Sequence, residues 1–459
     1  GRGVKVDYSW EKPSQTGALH VGVTVAGSDS WHFSDTEILD SRYDEIDRER
    51  RVKERVRLGI QHALETAYNL APSPWGILTG VRPTKLVHSL IDRGFSGIEL
   101  YRILLEVYAL SPAKAGLLLD VTARQRPYFH SSPNNPVSVY VGIPFCPTRC
   151  SYCSFAAYPM ESHGHLLKGF LSALRQEIQG VGGLIRDLGL EVETIYLGGG
   201  TPTTVQGSAL RELLSLIRTE LFTAGTKEYT VEAGRPETLS LETLGILKAA
   251  GVQRISINPQ TMHDQTLKII GRKHTVDEVR TAFALTRKVG IPVINMDIIL
   301  GLPGEQVEHV EQTLREIGTL GPDNLTVHSL ALKRASKLKK SLDQVQIAQE
   351  QAEAMADLAR AHALSWGMIP YYLYRQRHIL GDLENIGYAR PNLTSIYNVQ
   401  MMEERQTVIA LGGGGITKLV SADLSLARQA NPKCPATYQH QITERLDEKI
   451  DLIRRHLLS

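Results

Sequence analysis

Apolar and polar residues alternate in two distinct patterns along the chain after residue 135. Short runs rich in apolar and β-branched residues, as in buried strands, occur six times, at residues 138–145, 194–200, 228–233, 254–259, 294–300 and 324–330. Between them, apolar residues recur at helical spacing, for example over residues 208–221, 239–250 and 276–289. Six strand–helix units in series predict a parallel sheet with right-handed helical crossovers. We therefore expect an α/β fold, a partial (β/α)6 TIM-like barrel, because six strands are too few to close an eight-stranded one.

The segments on either side of this barrel predict accessory domains. The N-terminal segment contains a strand-like alternation at residues 19–27, a helical pattern at residues 44–69 and a helix that begins at Pro83 and ends near Gly94. The C-terminal segment opens with a long helical stretch over residues 344–365, followed by an aromatic run and a strand that leads into glycines. We therefore assign an N-terminal accessory domain, the barrel and a C-terminal domain covering the barrel mouth to residues 1–135, 136–345 and 346–459.

Composition narrows the classes of function. The 459 residues include 42% hydrophobic and 22% charged residues, which is typical of an ordinary globular protein. A formal net charge of +2 argues against a nucleic-acid or membrane-surface partner. No apolar run approaches the length of a membrane span, and the N-terminus carries no signal-peptide pattern, so we expect a cytoplasmic protein.

Three of the four cysteines lie in one short segment, YVGIPFCPTRCSYCSF at residues 140–155. Cys146, Cys150 and Cys153 have the spacing C-x3-C-x2-C and follow the first predicted strand. Three thiolates on a tight loop can hold three irons of a [4Fe–4S] cluster and leave the fourth iron open to an exogenous molecule. A disulfide is disfavoured by the low cysteine count, zinc would need a second ligand pair, and buried structural cysteines do not normally form a triplet on a Pro-flanked loop. We therefore favour the cluster, with Cys434 as a spare thiol.

A glycine turn follows the second predicted strand, at the end where parallel barrels collect their ligands. The turn GGGTPT at residues 198–203 lets the backbone approach a ligand closely, as the amino and carboxylate groups of S-adenosylmethionine (SAM) would need.

Together, these motifs resemble those of radical SAM enzymes. The resemblance rests on CPTRCSYC, GGGTPT, VEAGRP, SINPQ, IIGRKHT and NMDIILGLPGE, spans residues 140–331 and continues more weakly to residue 416. Within this family, the motifs are similar to those of the oxygen-independent coproporphyrinogen III oxidases and their HemW- and HemZ-type relatives. The segments GVRPTK, VHSLALKRAS and YYLYRQRHILGDLENIGYA resemble the HemZ type, the coproporphyrinogen dehydrogenases. The resemblance implies a barrel of the radical SAM type, a [4Fe–4S] cluster with three cysteine ligands, and one or two SAM molecules.

The resemblance also assigns roles to individual residues. It implies that Cys146, Cys150 and Cys153 ligate the cluster, and it makes Tyr140 the candidate catalytic residue. Contacts to the cluster-bound SAM would come from Tyr140, Gly199, Glu232 and Ile416. A second SAM, as in the family's oxidases, would contact Tyr152, Gly200, Thr201, Gln260, Arg272, Asp297 and Ala331. The polar side chains suit these roles: Glu232 and Asp297 can accept hydrogen bonds from ribose hydroxyls or an ammonium group, Arg272 can pair with a carboxylate, and Gln260 can do either. An ordinary ion pair between Arg272 and Asp297 is the alternative.

Two positions depart from the pattern of the oxidases. Phe155 stands where they have a fourth cysteine after the triplet, and this phenylalanine resembles the HemW type, a haem-handling chaperone. Gly142 stands where they have the histidine of YVHIPFC. The loss of this histidine argues against the chaperone, and it also leaves open whether a second SAM binds.

The function implied by the resemblance is that of a radical SAM oxidoreductase of anaerobic haem biosynthesis. A reduced donor such as flavodoxin or ferredoxin would deliver an electron to the cluster, and SAM cleavage would give a 5′-deoxyadenosyl radical. This radical would start the oxidative decarboxylation of two propionates of coproporphyrinogen III to the vinyl groups of protoporphyrinogen IX. The alternatives are a haem-binding chaperone of the HemW type and a radical SAM enzyme that acts on another tetrapyrrole such as haem.

Aromatic and basic residues are candidates for contact with such a tetrapyrrole. Tyr371, Tyr372 and Tyr374 could flank a flat macrocycle, but at this close spacing at least one should face elsewhere. Basic side chains could steer the propionates, and the candidates are Lys333, Arg334, Lys337, Lys339, Lys340, Arg375 and Arg377. The sequence leaves the oligomeric state open.

Overall fold

The computed structural model describes residues 5–11, 18–26, 30–38, 40–43, 45–132, 134–331, 349–376 and 379–458. The chain comprises two compact units, Gly1–Arg124 and Gln125–Ser459. Within the described residues, no helix combines the length and the apolar character that a membrane span requires. The three-domain division of the sequence stays a prediction.

The first unit combines a small antiparallel sheet with helices. Its strands pair in the order β1 (Lys5–Glu11), β2 (Ala18–Ala26) and β3 (Ser30–Ile38). Its helices are α1 (Glu45–Tyr68), α2 (Thr84–Asp92), α3 (Gly97–Arg102) and α4 (Pro112–Gln125), with a π-helical turn over Ile103–Val107. The predicted strand at residues 19–27 and helix at residues 44–69 are confirmed by β2 and α1. The helix α2 begins directly after Pro83 and ends before Gly94, whose φ of +90° suits a glycine.

The second unit is built on a sheet whose centre is six parallel strands in chain order. These strands are β4 (Val137–Ile143), β7 (Val192–Gly199), β8 (Glu228–Glu232), β9 (Arg254–Ser256), β10 (Val293–Leu300) and β11 (Asn324–Ser329). Two short strands in the loop after β4, β5 (Phe145–Cys146) and β6 (Tyr158–Pro159), pair only with each other. Each of the six overlaps a predicted strand, and each lies beside its predecessor. The partial (β/α)6 barrel is therefore confirmed, and the carboxyl ends of its strands meet at one edge.

Helices make the crossovers between these strands. They are α5 (Met160–His163), α6 (Leu167–Asp187), α7 (Gly207–Leu221), α8 (Leu241–Ala249), α9 (Asp264–Ile269), α10 (Val276–Val289) and α11 (Val307–Leu320). The bounds of α10 are those predicted from the sequence. Thr275 and Glu278 form a capping box at its start, and Gly290, with φ +81°, ends it.

The C-terminal residues extend both edges of the same sheet. Their elements are α12 (Gln349–Ser365), β12 (Ile369–Tyr374), β13 (Asn385–Ala389), α13 (Ile396–Glu403), β14 (Val408–Gly412), β15 (Ile416–Val420), β16 (Leu426–Ala430) and α14 (Pro435–Leu458). Strand β13 lies antiparallel to β11 at one edge, and β14 lies parallel to β4 at the other. The helix predicted over residues 344–365 is confirmed from Gln349, and residues 344–348 lie outside the described part.

Strands β4 and β14 approach each other closely at their glycines. The N–H of Gly413 donates to the carbonyl of Gly142 over 3.0 Å. A Cβ atom on Gly142 would lie 2.8 Å from the carbonyl oxygen of Gly413, and one on Gly412 would lie 2.2 Å from that of Gly142. Since Cβ atoms essentially never come within 3.0 Å of such atoms, this packing requires the glycine that departs from the oxidase pattern.

A buried charge pair joins α6 and α14 to the same glycine run. The Nζ atom of Lys449 donates to a carboxylate oxygen of Glu177, to the carbonyl of Ala410 and, over 3.1 Å, to Oδ1 of Asn431. The second carboxylate oxygen of Glu177 accepts from the N–H of Gly412 over 2.7 Å. Because every partner is hydrogen-bonded, the pair can remain charged inside the protein.

Candidate active site

A cavity of about 370 Å³ opens at the carboxyl ends of the parallel strands. It brings together nearly all of the site residues expected from the sequence, which are Cys146, Cys150, Tyr152, Cys153, Gly199, Gly200, Thr201, Glu232, Gln260, Arg272, Asp297 and Ala331. The two exceptions are Tyr140 and Ile416, which are not among the lining residues. Ile416 begins β15 and is 41% exposed, so its contact with a SAM molecule stays a prediction.

The cysteine loop is held against its neighbours by backbone hydrogen bonds. The N–H of Cys153 donates to the carbonyl of Cys150 over 3.2 Å, and the N–H of Ser151 donates to that of Ile270 over 3.0 Å. Burial raises the pKa of the Cys146 thiol to about 11 and also raises the pKa of Cys153. The free thiols of Cys146 and Cys153 therefore hold their protons, and bound iron would be needed to stabilise these two thiolates.

Two side chains donate hydrogen bonds to the cysteine sulfurs. The hydroxyl of Thr201 lies 3.4 Å from Sγ of Cys146, and Nη1 of Arg235 lies 3.4 Å from Sγ of Cys150. Among the described residues, no group of three or more His, Cys, Asp or Glu side chains is arranged around a single metal ion. Three cysteines on one loop, with donors aimed at two of the sulfurs, suit the separate irons of a cluster.

The glycine turn at the end of β7 packs directly on the end of β4 and on β5, the short strand that contains Cys146. The N–H groups of Gly200 and Thr201 donate to the carbonyls of Ile143 and Phe145 over 2.8 and 2.7 Å. A Cβ atom on Gly200 would lie 2.4 Å from the carbonyl oxygen of Phe145, and Gly199 has φ +106°. The glycines are therefore needed for this contact as well as for the close approach of a ligand.

Glu232, at the end of β8, is a buried carboxyl group. The hydroxyl of Tyr196 donates to its Oε1 over 2.6 Å. Burial raises the pKa of Glu232 to about 7, although the hydrogen bond from Tyr196 opposes this shift, and Asp297 adds to it. This carboxyl group can thus exchange a proton near neutral pH.

Tyr140 lies behind Tyr196 rather than on the cavity surface. The two rings stack with centroids 6.2 Å apart, and both stack on Tyr397, at 6.2 Å from Tyr140 and 4.3 Å from Tyr196. Burial raises the pKa of Tyr140. Its catalytic role and its contact with SAM stay predictions. Tyr196 is the ring of this stack that faces the cavity.

Arg272 does not pair with Asp297. Its Nη1 donates to the carbonyls of Gly234 and Asn258 over 2.8 and 2.7 Å, and its Nη2 donates to the hydroxyl of Tyr152 over 3.1 Å. The ordinary ion pair considered for the sequence is therefore not formed between these two described side chains. The guanidinium instead fixes the cavity wall next to the cysteine loop.

Asp297 lies in a separate polar group with Tyr374 and with two residues, Asn295 and His328, that the sequence analysis did not single out. Its Oδ1 accepts from Asn295 Nδ2 over 2.6 Å, and its Oδ2 lies 3.5 Å from Nε2 of His328. The other ring nitrogen of His328 lies 3.3 Å from the hydroxyl of Tyr374. These side chains can receive a polar ligand group at the cavity wall.

Five buried polar atoms in the described part of the cavity wall lack hydrogen-bond partners within the protein. They are Oγ of Ser256, Oδ1 of Asn258, Oε1 of Gln260, Nε of Arg272 and Oε1 of Gln376. Buried polar atoms of this kind are usually paired, so a polar ligand in the cavity would supply the missing hydrogen bonds. The first three have a period-two spacing in SINPQ, which places them on one face and is a signal by which Ser256 and Asn258 could have been found.

The expected substrate contacts are only partly inside the cavity. Tyr372 and Tyr374 line it with rings stacked at 6.5 Å, whereas the Tyr371 hydroxyl accepts from Asn398 Nδ2 over 3.1 Å and its ring faces away from the cavity lining. The expectation that one tyrosine faces elsewhere is thus confirmed. Arg375 forms an ion pair with Asp382, and Lys333, Arg334, Lys337, Lys339, Lys340 and Arg377 lie outside the described residues.

Comparison with known proteins agrees with the fold and the cysteine site. The model of the Radical SAM superfamily matches residues 140–317. The chain is 40% identical over 389 residues to the oxygen-independent coproporphyrinogen-III oxidase-like protein HemZ of Bacillus subtilis (strain 168), covering 83% of this chain and 77% of the relative. It is 36% identical over 197 residues to the heme chaperone HemW of the same organism, covering 43% of this chain and 51% of that one.

A solved structure shows the same fold. The coproporphyrinogen III oxidase HemN from Escherichia coli superposes with a TM-score of 0.57 at 23% identity, over 71% of this chain and 73% of that chain. The fold and the cysteine cavity define a radical SAM protein. Within that superfamily, the chain belongs to the group of HemZ-like, oxygen-independent coproporphyrinogen oxidase-like proteins. Its cofactors are therefore a [4Fe–4S] cluster and S-adenosylmethionine.

Proposed function

We propose that the protein is a radical SAM enzyme that oxidatively decarboxylates two propionates of coproporphyrinogen III, giving protoporphyrinogen IX. The observation that carries this proposal is the single cavity that joins the three-cysteine loop to polar strand ends and to Tyr372 and Tyr374. The name of the HemZ relative, which is 40% identical over most of the chain, supports the choice of substrate.

Each group of lining residues has a task in this proposal. Cys146, Cys150 and Cys153 hold the cluster, with the proton of each thiol leaving as iron binds. When bound, the cofactors would take one electron from a reduced donor such as flavodoxin or ferredoxin and supply a carbon radical that abstracts a hydrogen atom from a propionate side chain, which then loses CO₂ and gives one electron to an acceptor. The chain's own contribution is to orient that C–H bond and to keep water out.

Polar residues would bind SAM beside the cluster. The free oxygens of Ser256, Asn258 and Gln260 would accept from its ammonium and hydroxyl groups, because they have no protein partner. Glu232 would accept from the same groups in its ionised form, which its pKa of about 7 makes available near neutrality. Whether one or two SAM molecules bind is an outcome of the titration described below.

A second group of lining residues suits the substrate. The stacked rings of Tyr372 and Tyr374 would pack against the macrocycle. The imidazole of His328, between the carboxylate of Asp297 and the hydroxyl of Tyr374, would offer a polar contact to a propionate.

A haem chaperone of the HemW type is the second candidate. Phe155, in place of the fourth cysteine, is 69% exposed and lines the cavity, and the HemW relative is 36% identical. An exposed aromatic ring beside the cluster would pack on a haem face. A radical SAM enzyme acting on another tetrapyrrole is the third possibility.

An anaerobic assay separates the three. The reconstituted protein, reduced with dithionite, is incubated with SAM and coproporphyrinogen III, and 5′-deoxyadenosine, CO₂ and porphyrin products are quantified. Decarboxylation requires all three products, with two CO₂ per protoporphyrinogen IX. Stoichiometric haem binding without turnover would support the chaperone, and 5′-deoxyadenosine formed only with haem present would support another substrate. SAM binding, titrated in the same preparation, counts the bound molecules.

Two matched cysteine variants test the assignment of the cluster ligands. Cys150→Ala should lose the brown cluster absorbance and all SAM cleavage. Cys434→Ala makes the same chemical change outside the cavity lining and should keep both. Retained cleavage in Cys150→Ala would contradict the assignment of the ligands.

A further inference from the structure

Arg235, just after β8, occupies a buried position beside the cysteine loop. Its side chain is 3% exposed. Its Nη1 donates to Sγ of Cys150 over 3.4 Å and to the carbonyl of Thr148 over 3.3 Å, and its Nη2 donates to the hydroxyl of Thr148 over 2.7 Å. The guanidinium thus reaches both backbone and side chain of the loop, and one of the sulfurs.

The guanidinium is fixed on its other side by Glu237. Its Nε and Nη2 lie 2.8 and 2.6 Å from Oε1 of Glu237, whose Oε2 lies 3.1 Å from Nδ1 of His274. Burial opposes ionisation of Glu237, but the hydrogen bond from His274 and the charge of Arg235 outweigh it and lower the pKa of Glu237 to about 2. At neutral pH, an ionised carboxylate therefore holds Arg235 in place.

We propose that Arg235 is a positioning residue that holds the Cys150 end of the loop and, through its charge, makes the bound cluster easier to reduce. Reduction transfers one electron from the reduced donor to the cluster, which would pass from the 2+ to the 1+ state, and the donor is oxidised by one electron. A buried cation that is hydrogen-bonded to a ligand sulfur favours the more negative state. The low exposure of Arg235 strengthens this interaction, because little water screens it.

The inference depends on the cluster and on Cys150 as its ligand, and not on the identity of the substrate. It can therefore be tested with no tetrapyrrole present. A negative result here would leave the decarboxylation proposal standing, and failure of decarboxylation would leave the role of Arg235 untouched.

The experiment compares substitutions of Arg235 in the full, anaerobically reconstituted chain. Arg235→Gln removes the charge, and Arg235→Lys keeps the charge but loses the forked donor. Arg211→Gln makes the same charge change on the exposed face of α7 and serves as the control. The midpoint potential of the cluster is measured by redox titration followed by electron paramagnetic resonance, and the rate of iron loss to a chelator is measured alongside it.

We expect Arg235→Gln to shift the midpoint to a more negative potential and to lose iron several-fold faster. Arg235→Lys should lie between Arg235→Gln and the unsubstituted protein in potential, and Arg211→Gln should match the unsubstituted protein in both measurements. An Arg235→Gln protein with an unchanged midpoint would overturn the proposal.

A substitution of Glu237 separates charge from mere packing. Glu237→Gln removes a negative charge while the two bonds to Thr148 still hold Arg235, so the midpoint should move in the opposite, less negative direction. A purely structural role predicts that both variants move the same way, and this result would overturn the proposal. If Arg235→Gln takes up no cluster, the Glu237→Gln shift decides alone: a less negative midpoint supports the proposal, and any other result overturns it.

Discussion

The hydroxyl of Tyr196 donates a hydrogen bond of 2.6 Å to Oε1 of Glu232, inside the wall of the cavity. The ordinary pKa of this carboxyl group is 4.5, and burial raises it to about 7. The tyrosine therefore contacts a carboxyl group that is half-protonated near neutral pH, at a position where contact with SAM is predicted. This relationship predicts that stability, and SAM binding with it, depends on pH.

Glu232 should make the cofactor-free protein less stable as the pH rises. Between its ordinary pKa of 4.5 and its folded value of about 7, the folded protein keeps a proton that the unfolded chain releases. Its stabilising contribution is therefore full below pH 4.5 and is lost as the pH passes 7, a change of roughly 3 kcal/mol. Glu232→Gln should remove this dependence, as measured by the difference in denaturant unfolding between the two proteins at several pH values. An identical pH dependence in both proteins would show that Glu232 titrates normally.

The unpaired side-chain oxygens of Ser256, Asn258 and Gln260 should contribute to SAM binding. Gln260→Ala removes one acceptor of about 1 kcal/mol and should raise the Kd of SAM about 5-fold. The matched control is Gln312→Ala on the exposed face of α11, which should leave the Kd unchanged. Anaerobic isothermal titration of SAM into the reconstituted protein measures both. Equal affinities for the two variants would remove Gln260 from the SAM site.

A side chain at position 142 should destabilise the protein. Gly142→Ala places a Cβ atom 2.8 Å from the carbonyl oxygen of Gly413, and relief of such overpacking costs roughly 1–3 kcal/mol. Gly183→Ala in α6, where a Cβ atom meets nothing within 4 Å, is the control and should be neutral or slightly stabilising. Denaturant unfolding distinguishes them. If the Gly142→Ala protein proves as stable as the control, β14 must shift enough to accommodate the added Cβ atom.

The buried pair between Glu177 and Lys449 should be far more sensitive to single than to double substitution. Lys449→Met leaves the carboxylate of Glu177 buried without its cation, so it should lower the free energy of unfolding by about 3 kcal/mol or more. Adding Glu177→Leu should recover part of that loss, since neither charge then remains. Urea unfolding of the single and double variants checks this, and equal losses in both would indicate that the pair is uncharged.

The local patterns of the chain were enough to identify the elements around the site. The six strand segments and helix α10 depend on apolar periodicity and on caps such as Thr275 and Gly290, which act within a few residues of one another. The cysteine triplet is likewise a property of consecutive residues. These features were readable because their physical causes are local.

Contacts between distant segments could not be read in the same way. Arg235 lies 85 residues from Cys150, and nothing in the local sequence indicates that its Nη1 lies 3.4 Å from that sulfur. Tyr140 resembles a cofactor contact in its motif, yet the stack with Tyr196 and Tyr397 keeps it behind the cavity surface. The packing partner of Gly142 is also remote, since β14 follows it by more than 260 residues.

The sequence by itself determined the order of strands and helices and the three-cysteine loop, because each follows from side-chain period or spacing, and it indicated the polar strand ends through the resemblance of its motifs to a known family. Only the tertiary structure decided that the strands after residue 349 complete the same sheet, that Tyr196 rather than Tyr140 faces the cavity, and that a cation held by Glu237 touches Cys150. The reason is that these relations depend on how the sheet brings separate strand ends to one edge, and no local pattern encodes that distance.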